Sequence, residues 1–427
     1  MKLIAKPSQL SGKVLIPASK SHTIRAVIIA SMAEGVSKVL NPLLSEDGVS
    51  ALNACKTLGV RIDEDSEGNW TVYGTGGDFT HLQGKDIVID VGNSGTTARL
   101  IIGLSANTGV PIRIQGDEST SSRPMYQLTE ALQNLGVTVT YHENYGKLPL
   151  TVHGPIKGGK TEVDATSSQF LSSLLINTPC AENDTEINVT VLNEVPYVEM
   201  TLWWLKERKI NFQTEGQKHY RIAGGQKYSA FEGVAIPGDF SSASFFFVAA
   251  ALCGKDVEIH GLYMDDTQGD KRVLEILKAM GADITIDNNV ITISKSELIG
   301  GEFDINDIPD ALPILSVAGC FAKGTTVLKN VPQARLKETD RIAVMHEELA
   351  KIGGNTEEMP DGLIIHETKL HSGVTHSHHD HRIVMSLAVA GLMTDGGVEV
   401  EQGEAMRVTF PNFDELMRSI GGDVELR

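Results

Sequence analysis

The chain has 427 residues, of which 41% are hydrophobic and 22% are charged, and its formal net charge is −18 at pH 7. This length exceeds the usual size of one hydrophobic core, so we expect two domains. The acidic balance argues against nucleic acid as a partner, because phosphate backbones are bound by basic surfaces. No apolar run reaches the length of about 18 residues that spans a bilayer, and the start MKLIAKPSQLSGKV lacks the long apolar stretch of a secretory signal. We therefore expect a cytoplasmic protein without a membrane partner.

The four cysteines, Cys55, Cys180, Cys253 and Cys320, are far apart in the sequence and form no CxxC pair. Three of them lie in mostly apolar surroundings. We expect buried free thiols rather than disulfides, redox centres or metal ligands.

Six polar segments are each followed directly by an apolar run that is compatible with a helix. In chain order they read PASKSHTIRAVIIA, VGNSGTTARLIIGL, DATSSQFLSSLLI, PGDFSSASFFFVAAAL, DIPDALPILSVAG and HHDHRIVMSLAVAG. The spacings are 73, 74, 74, 69 and 71 residues when the markers are Lys20, Asn93, Ser167, Ser241, Asp310 and His381. Amphipathic segments keep the same phase and end at CKTLGV, LQNLGV, LKERKI, LKAMGA, LAKIGG and MRSIGG. Alternating stretches such as ADITIDNNVITIS follow most of them and predict strands.

The repetition predicts six α/β units, each with short strands and two helices. The last unit ends soon after its second helix, at GGDVELR, so we expect the N-terminal MKLIAKPSQLSGKVLIP to supply its missing strands. This predicts a division into three plus three units, with the chain crossing between the domains near residues 18 and 237.

Each polar segment begins a helix, where unpaired N–H groups and the positive end of the helix dipole attract anions. Small residues in GNSGTT, TSSQ and SSAS allow a ligand to approach the backbone closely. Cations recur at the same positions: Lys20, Arg25, Arg99, Arg123, Lys337, Arg341 and Arg382. If the repetition directs all six starts toward one interdomain cleft, an acidic protein can still bind a substrate with phosphoryl or carboxylate groups there.

Two carboxylates are candidates for proton transfer. A helix from about Lys337 in ARLKETDRIAVMHEELAKIGG would place Lys337, Glu338 and Arg341 on one side, although a solvated first turn explains the pattern too. Glu338 lies between two cations and should stay ionised, which suits proton acceptance. Asp310 precedes an apolar helix in NDIPDALPIL and is either an N-cap or a catalytic carboxylate.

The motifs PASKSHTIR, VGNSGTTAR, GDESTSSRPM, SSQFL, PGDFSSAS, IPDAL, RLKETDR and DHR, taken in order, resemble those of the 5-enolpyruvylshikimate-3-phosphate synthase family. The resemblance runs from about residue 17 to residue 411, and GNSGTTAR and RLKETDR are its most specific parts. It implies an α/β fold of two similar domains, each of three βαβαββ repeats (an inside-out α/β barrel), which close around substrates in the interdomain cleft. The shikimate 3-phosphate domain would be residues 19–237. The other would be residues 1–18 plus 238–427, with the N-terminal strand completing the last repeat.

The resemblance also implies a reaction, in the shikimate pathway to aromatic amino acids. The enolpyruvyl group of phosphoenolpyruvate is transferred to the 5-hydroxyl of shikimate 3-phosphate, and phosphate is released. Together with the charge pattern, it suggests Asp310 as the base toward the hydroxyl and Glu338 as the proton shuttle at the methylene carbon. Lys20 would bridge the reacting oxygens.

Carried over position by position, the family's motifs imply two sets of binding residues. The shikimate 3-phosphate contacts are Lys20, Ser21, Arg25, Ser167, Ser168, Gln169, Asp310 and Lys337. The phosphoenolpyruvate contacts are Lys20, Gly95, Arg123, Gln169, Arg341 and Arg382. The four histidines between His376 and His381 would alone suggest a metal site, but in this family DHR supplies Arg382 for phosphoenolpyruvate. The resemblance therefore implies no metal and no cofactor, and we expect a monomer that acts on small molecules.

Two positions depart from the family's pattern. Glu194 in NEVPYV stands where many members have a serine near the 3-phosphate, and it would either point away or pair with Arg25. Val408 in MRVTFPNF stands where many members have a lysine for phosphoenolpyruvate, and Arg407 is one residue away from that position. Weaker phosphoenolpyruvate binding is the hypothesis that follows.

Three alternatives stay open. UDP-N-acetylglucosamine enolpyruvyl transferases share the fold and the donor, but the matching loop GDESTSSRPM lacks their usual cysteine, although it contains Asp117. A catalytically inactive phosphometabolite-binding homologue is a second alternative, against which Lys20, Asp310 and Glu338 together argue. RNA-terminal phosphate cyclases are a remote third, given the acidic charge.

Overall fold

The structure, a computed structural model, describes residues 1–427 and contains 24 strands and 13 α-helices. The first twelve strands are β1 (Lys2–Lys6), β2 (Leu10–Leu15), β3 (Glu34–Leu40), β4 (Arg61–Glu64), β5 (Trp70–Thr75), β6 (Ile87–Asp90), β7 (Ile112–Gln115), β8 (Thr138–Tyr141), β9 (Leu150–His153), β10 (Gly159–Ala165), β11 (Thr185–Leu192) and β12 (Phe212–Glu215). The others are β13 (His219–Ile222), β14 (Val234–Ala235), β15 (Gly254–His260), β16 (Asp283–Asp287), β17 (Val290–Ser294), β18 (Glu302–Asp304), β19 (Thr325–Lys329), β20 (Asn355–Met359), β21 (Gly362–His366), β22 (Gly373–His376), β23 (Val398–Glu401) and β24 (Asp423–Leu426).

The helices are α1 (Lys20–Met32), α2 (Glu46–Thr57), α3 (Gly95–Ala106), α4 (Glu118–Ser122), α5 (Tyr126–Asn134), α6 (Ser168–Asn177), α7 (Val195–Glu207), α8 (Phe240–Cys253), α9 (Arg272–Ala279), α10 (Leu312–Phe321), α11 (Arg341–Lys351), α12 (His381–Gly391) and α13 (Phe413–Ser419). None of these helices combines the length and the apolar character that a membrane span requires.

The chain folds into two compact units, each with its own hydrophobic core. We call residues 18–236 the internal unit and residues 1–17 with 237–427 the terminal unit.

Each unit contains three four-stranded sheets with one shared topology. The strand orders are β14-β3-β5-β4, β6-β7-β9-β8 and β10-β11-β13-β12 in the internal unit, and β2-β15-β17-β16, β18-β19-β21-β20 and β22-β23-β1-β24 in the terminal unit. In every sheet the first two strands in this order are parallel, and the remaining pairs are antiparallel. A parallel pair needs a crossover connection, and in four of the sheets a single helix with its flanking loops makes it within one repeat.

Three sheets are completed by strands from a distant part of the sequence. β1 lies between β23 and β24, and Leu3 is opposite both Val400 and Leu426. β2 pairs in parallel with β15, and the short β14 pairs in parallel with β3. The N-terminal segment therefore supplies one strand to the last repeat and another to the fourth.

The helix that follows each polar segment is buried on nearly all sides, which explains its lack of amphipathic pattern. All fourteen residues of α8, the helix that begins FSSASFFF, are buried. The second helix of a repeat is amphipathic instead, as in α5, α9 and α11, and presents one face to solvent. Each buried helix therefore has a fixed start, and the polar segment before it is held in place.

All four cysteines are free, as the sequence predicts. Cys55, Cys253 and Cys320 are buried, whereas Cys180 is half-buried. Burial raises the pKa of Cys180 and Cys253 to about 11, and that of Cys55 and Cys320 to about 12. These thiols are therefore poor nucleophiles at neutral pH.

Candidate active site

The start of α1 positions Lys20 in the internal unit. Ser19 is the N-cap, and its hydroxyl accepts from the backbone N–H of His22. The Lys20 ammonium lies 3.1 Å from Asp47 Oδ2, and the two side chains are 14% and 5% exposed. Asp47 belongs to the first turn of α2, and no motif in the sequence singles it out.

Arg25 is a buried cation that no carboxylate contacts. It donates to Thr201 Oγ1 at 2.9 Å, to the Ser21 carbonyl at 3.0 Å, and to Ser172 Oγ and the Tyr197 carbonyl at 3.2 Å each. Burial lowers the pKa of Arg25 to about 10, yet a guanidinium in a protein remains protonated. An uncompensated buried charge is costly, so this position favours an anionic ligand.

Two guanidinium groups converge on the start of α3, where Gly95 is the first residue. A Cβ atom added to Gly95 would lie 2.6 Å from Arg123 Nη1 and 3.2 Å from Arg99 Nη1. Arg99 donates to Gln169 Oε1 at 2.6 Å, and Arg123 donates to Ser119 Oγ at 2.9 Å. Glycine lets the two guanidinium groups approach the helix start closely, and the N–H groups of that start add to the positive potential. The arrangement suits an anion.

The start of α6 carries three predicted site residues. Ser167 is the N-cap, and Ser168 and Gln169 form the first turn. Gln169 Nε2 donates to Thr96 Oγ1 at 3.1 Å while its Oε1 accepts from Arg99. Gln169 therefore connects the start of α6 to the start of α3.

The Glu194 carboxylate faces the start of α6. Its Oε2 accepts the backbone N–H of Ser168 at 3.1 Å and the Ser168 hydroxyl at 2.6 Å. Neither arrangement expected from the sequence is present, because Glu194 is buried and Arg25 donates to other groups.

In the terminal unit, Arg341 joins three carboxylates. Its side chain is 1% exposed. Nη1 donates to Asp310 Oδ1 at 2.7 Å, Nη2 to Glu338 Oε2 at 2.6 Å, and Nε to Asp380 Oδ2 at 2.8 Å. Burial alone would lower the pKa of Arg341, but the charges of Asp380, Glu338 and Asp310 raise it above its usual value.

Asp380 is fully buried and is the N-cap of α12. It accepts a second hydrogen bond from Arg341 Nη2 at 3.1 Å and one from the backbone N–H of Arg382 at 2.8 Å. Burial would raise the pKa of this carboxyl, but the charge and hydrogen bonds of Arg341 hold it below its ordinary value of 3.8. Asp380 is thus the counter-ion that fixes Arg341 against the start of α12.

The Asp310 carboxylate contacts two further cations. Lys337 Nζ lies 3.7 Å from Oδ1, and Arg382 Nη2 lies 3.2 Å from Oδ2. Three cationic and three anionic side chains thus form what we call the terminal-unit cluster: Asp310, Lys337, Glu338, Arg341, Asp380 and Arg382. Cations around Asp310 stabilise a carboxylate rather than a carboxylic acid, which is the form that a base needs.

The structure corrects one local expectation from the sequence, the start of α11, and removes one open alternative, the N-cap role of Asp310. α11 begins at Arg341 and not near Lys337, because the Asp340 side chain caps the helix by accepting from the Ala343 N–H at 3.0 Å. Lys337 has extended backbone, although Glu338 and Arg341 still pair across three residues. Asp310 is not an N-cap either: it lies in a 3₁₀ turn before α10 and directs its carboxylate at the cations.

Eight of the predicted site residues fall into two groups, whereas Lys20 pairs with Asp47 and Arg25 donates to the Ser21 carbonyl. The internal unit brings Gly95, Arg123 and Gln169 together around Arg99, and the terminal unit brings Asp310, Lys337, Glu338, Arg341 and Arg382 together around Asp380. The sequence motifs assign no specific role to Arg99 and do not identify Asp47 or Asp380 as site residues. Arg99 follows Gly95 by four residues in GNSGTTAR, so helical spacing was the available signal.

The histidine-rich segment contacts α11. His378 Nε2 lies 2.6 Å from Glu348 Oε1, and ligand atoms of Glu347, Glu348 and His378 all lie within 4.8 Å of one another. Lys351 Nζ contacts both glutamates, at 2.9 Å and 2.7 Å, and already supplies a positive charge there. This segment also leads directly into Asp380.

Arg407 and Val408, where MRVTFPNF departs from the family's pattern, are the last two residues of a short 3₁₀ helix. Val408 is buried, as an apolar side chain requires, whereas Arg407 is exposed.

A model of the EPSP synthase family, described as 3-phosphoshikimate 1-carboxyvinyltransferase, matches residues 4–417. Curated relatives bearing the same name, from Ruminiclostridium cellulolyticum and Acetivibrio thermocellus, are 48% and 47% identical and align over 100% and 99% of both chains. Another, from Methanocaldococcus jannaschii, is 38% identical over 100% of this chain and 99% of its own.

Solved structures agree with these relatives. The structure of EPSP synthase from Acinetobacter baumannii matches with a TM-score of 0.82 and 29% identity, over 100% of both chains. The enolpyruvyl transferase NikO from Streptomyces tendae shares the fold, with a TM-score of 0.79 and 16% identity over 99% of this chain and 98% of its own. The predicted α/β class with two domains is confirmed, and the UDP-sugar alternative is not favoured. The chain belongs to the EPSP synthase family, the 3-phosphoshikimate 1-carboxyvinyltransferases.

Proposed function

We propose that the chain transfers the enolpyruvyl group of phosphoenolpyruvate to the 5-hydroxyl of shikimate 3-phosphate, and that the residues described above perform it. The main support for these catalytic roles is the terminal-unit cluster, in which the Arg341 guanidinium forms ion pairs with both Asp310 and Glu338. Asp310, as a carboxylate, would be the base, and Glu338 would be the acid in its protonated form, so that the cluster supplies the two separate groups that the reaction needs.

In the proposed mechanism, Glu338 delivers a proton to the methylene carbon of phosphoenolpyruvate, which makes C2 electrophilic. The 5-hydroxyl oxygen of the acceptor bonds to C2, and its proton passes to Asp310. The tetrahedral ketal phosphate that results then returns a methyl proton to Glu338 and releases inorganic phosphate, which leaves with the proton held by Asp310. This step forms the enol ether of the product. Lys20 assists by stabilising the oxygens that gain negative charge.

The remaining cations would bind the substrates' charged groups. We propose that phosphoenolpyruvate is bound by Arg123 and Gln169, which lie beside Gly95, and by Arg341 and Arg382. Four of the five Arg341 N–H donors are already in use. Arg341 therefore either uses its remaining donor or releases a carboxylate when the donor substrate binds.

The acceptor is assigned to the other anion-binding positions. Its carboxylate would be held by the buried Arg25 cation together with Ser21. Its phosphate would be held at the start of α6, by Ser167 and Ser168. Lys337 and Asp310 would contact the ring hydroxyls.

We further propose a division of labour between domains, with residues 19–237 on the shikimate 3-phosphate side and residues 1–18 plus 238–427 supplying Asp310 and Glu338. The activity is assigned to a cytoplasmic monomer. Size-exclusion chromatography with light scattering tests the monomer, and a dimer at working concentration would refute it.

The function is tested by measuring phosphate release from phosphoenolpyruvate with two acceptors. We expect release with shikimate 3-phosphate and none with UDP-N-acetylglucosamine. Turnover with the UDP-sugar would overturn the proposal. Binding of shikimate 3-phosphate without turnover would support a catalytically inactive homologue instead.

A further inference from the structure

Glu194 is a carboxylate in a place where the proposed function requires a phosphate. It is 2% exposed, is the N-cap residue of α7, and has left-handed backbone with a φ of 57°. This conformation is uncommon for a residue other than glycine, asparagine or aspartate. The surroundings of Glu194 therefore hold it in one specific position.

The Glu194 carboxylate occupies the donors that an anion would use at the start of α6. Oε2 accepts both the N–H and the hydroxyl of Ser168, the first residue of this ten-residue helix. A helix start favours negative charge through its free N–H groups and its dipole. The side chain of Glu194 thus acts as an internal anion at a site that the proposed function gives to the substrate's phosphate.

A buried cation lies between the two helices that carry these residues. Arg25 donates to Ser172 on α6, one turn after Ser168, and to the carbonyl of Tyr197 on α7, three residues after Glu194. No carboxylate contacts Arg25. The α6 helix therefore has a start whose Ser168 donors are used by an anion, and one turn later it contacts a guanidinium that has no carboxylate partner.

We propose that Glu194 lowers the affinity for the phosphorylated acceptor by competing with its 3-phosphate for Ser168. This inference rests on the proposed function, which makes Ser168 a phosphate ligand. Two anions cannot share the same N–H and O–H donors without strong repulsion, so the Glu194 carboxylate leaves Ser168 before the phosphate binds. The chain binds its phosphorylated acceptor more weakly than the same site would with a neutral residue at position 194.

The test replaces Glu194 by asparagine, which is uncharged and tolerates left-handed backbone. The dissociation constant of shikimate 3-phosphate is measured by titration calorimetry, and the KM values of both substrates by phosphate release. We expect Glu194→Asn to tighten binding of shikimate 3-phosphate by roughly tenfold or more, as the release of a charge-assisted hydrogen bond predicts. The KM for phosphoenolpyruvate should stay unchanged.

Glu199→Gln is the matched control, because Glu199 is an exposed glutamate on the same helix. It changes the net charge equally and should leave the affinity for shikimate 3-phosphate unchanged. Ser168→Ala adds a second readout: it should weaken phosphate binding more in the Glu194→Asn protein than in the wild type, where Glu194 already uses the serine.

Unchanged or weaker binding in a folded Glu194→Asn protein overturns the inference, as does an equal gain in the control. If asparagine prevents folding, Glu194→Gly provides the same test with a residue that adopts the left-handed backbone freely. The proposed function is judged separately, by whether the wild-type protein turns over shikimate 3-phosphate at all.

Discussion

At the scale of single residues, the site depends on how charges are paired. Arg341 contacts three carboxylates while Arg25 contacts none, although both are buried. Motifs indicated which positions carry the cations, but not their partners. Asp47 and Asp380 reach Lys20 and Arg341 from 27 and 39 residues away, and no local pattern encodes a contact across such a distance.

Asp380→Asn should lower the free energy of unfolding by about 3 kcal/mol at pH 7, because it removes one partner of a buried ion pair. Since the folded-state pKa of Asp380 is below its ordinary value of 3.8, its stabilisation is present above about pH 4. It is lost as the pH falls through the folded-state pKa. Urea unfolding at several pH values measures both effects.

The variant should therefore lose less stability than the wild type between pH 5 and the acid limit near pH 2, where the unfolded carboxyl is protonated. Asp395→Asn is the control, because Asp395 is 85% exposed. Equal acid sensitivity in the wild type and Asp380→Asn would contradict the role given to this carboxylate.

At the scale of elements, the polar segments determine where helices begin. The sequence located most of these starts because capping residues such as Ser19, Ser94 and Asp239 precede apolar runs. At α11 the charged spacing allows a helix from about Lys337, which is four residues before the observed start. Asp340 competes for the backbone N–H groups of that turn and sets the start three residues beyond Glu338.

Asp340→Ala should lower the free energy of unfolding by about 1 kcal/mol, through loss of the N-cap. It should also raise the KM for phosphoenolpyruvate, because Arg341 is the first residue of the helix that Asp340 caps. Asp340→Asn retains a capping side chain but loses the charge that pairs with Arg335 at 2.7 Å. If both variants were equally unstable, the ion pair rather than the cap would be the stabilising interaction.

At the scale of the whole molecule, repetition in the sequence predicts the six-unit plan. The spacing of about seventy residues reflects sheets of one topology, repeated three times in each unit. The sequence did not predict that β2 and β14 complete the fourth and first sheets. Each pairs in parallel with a strand more than 190 residues away, and such pairing follows from the tertiary fold rather than from local propensity.

The position of β1 between β23 and β24 makes the N-terminal segment part of the core. Leu3 is fully buried in this sheet. Leu3→Ala should therefore lower the free energy of unfolding by about 3 kcal/mol, as measured by urea denaturation. Leu15→Ala, at a β2 position that is 67% exposed, should change it by less than about 0.5 kcal/mol. Similar effects at the two positions would argue against the placement of β1.

The proposed mechanism depends above all on Asp310 accepting the proton of the acceptor's hydroxyl. It is tested most directly by the turnover of Asp310→Asn, with substrate binding measured on the same protein by titration calorimetry. The control is Asp307→Asn, which changes a 40% exposed aspartate three residues earlier. We predict that Asp310→Asn binds both substrates but that its kcat falls by about a hundredfold or more, while the control keeps its kcat. A nearly normal kcat in Asp310→Asn would contradict the claim.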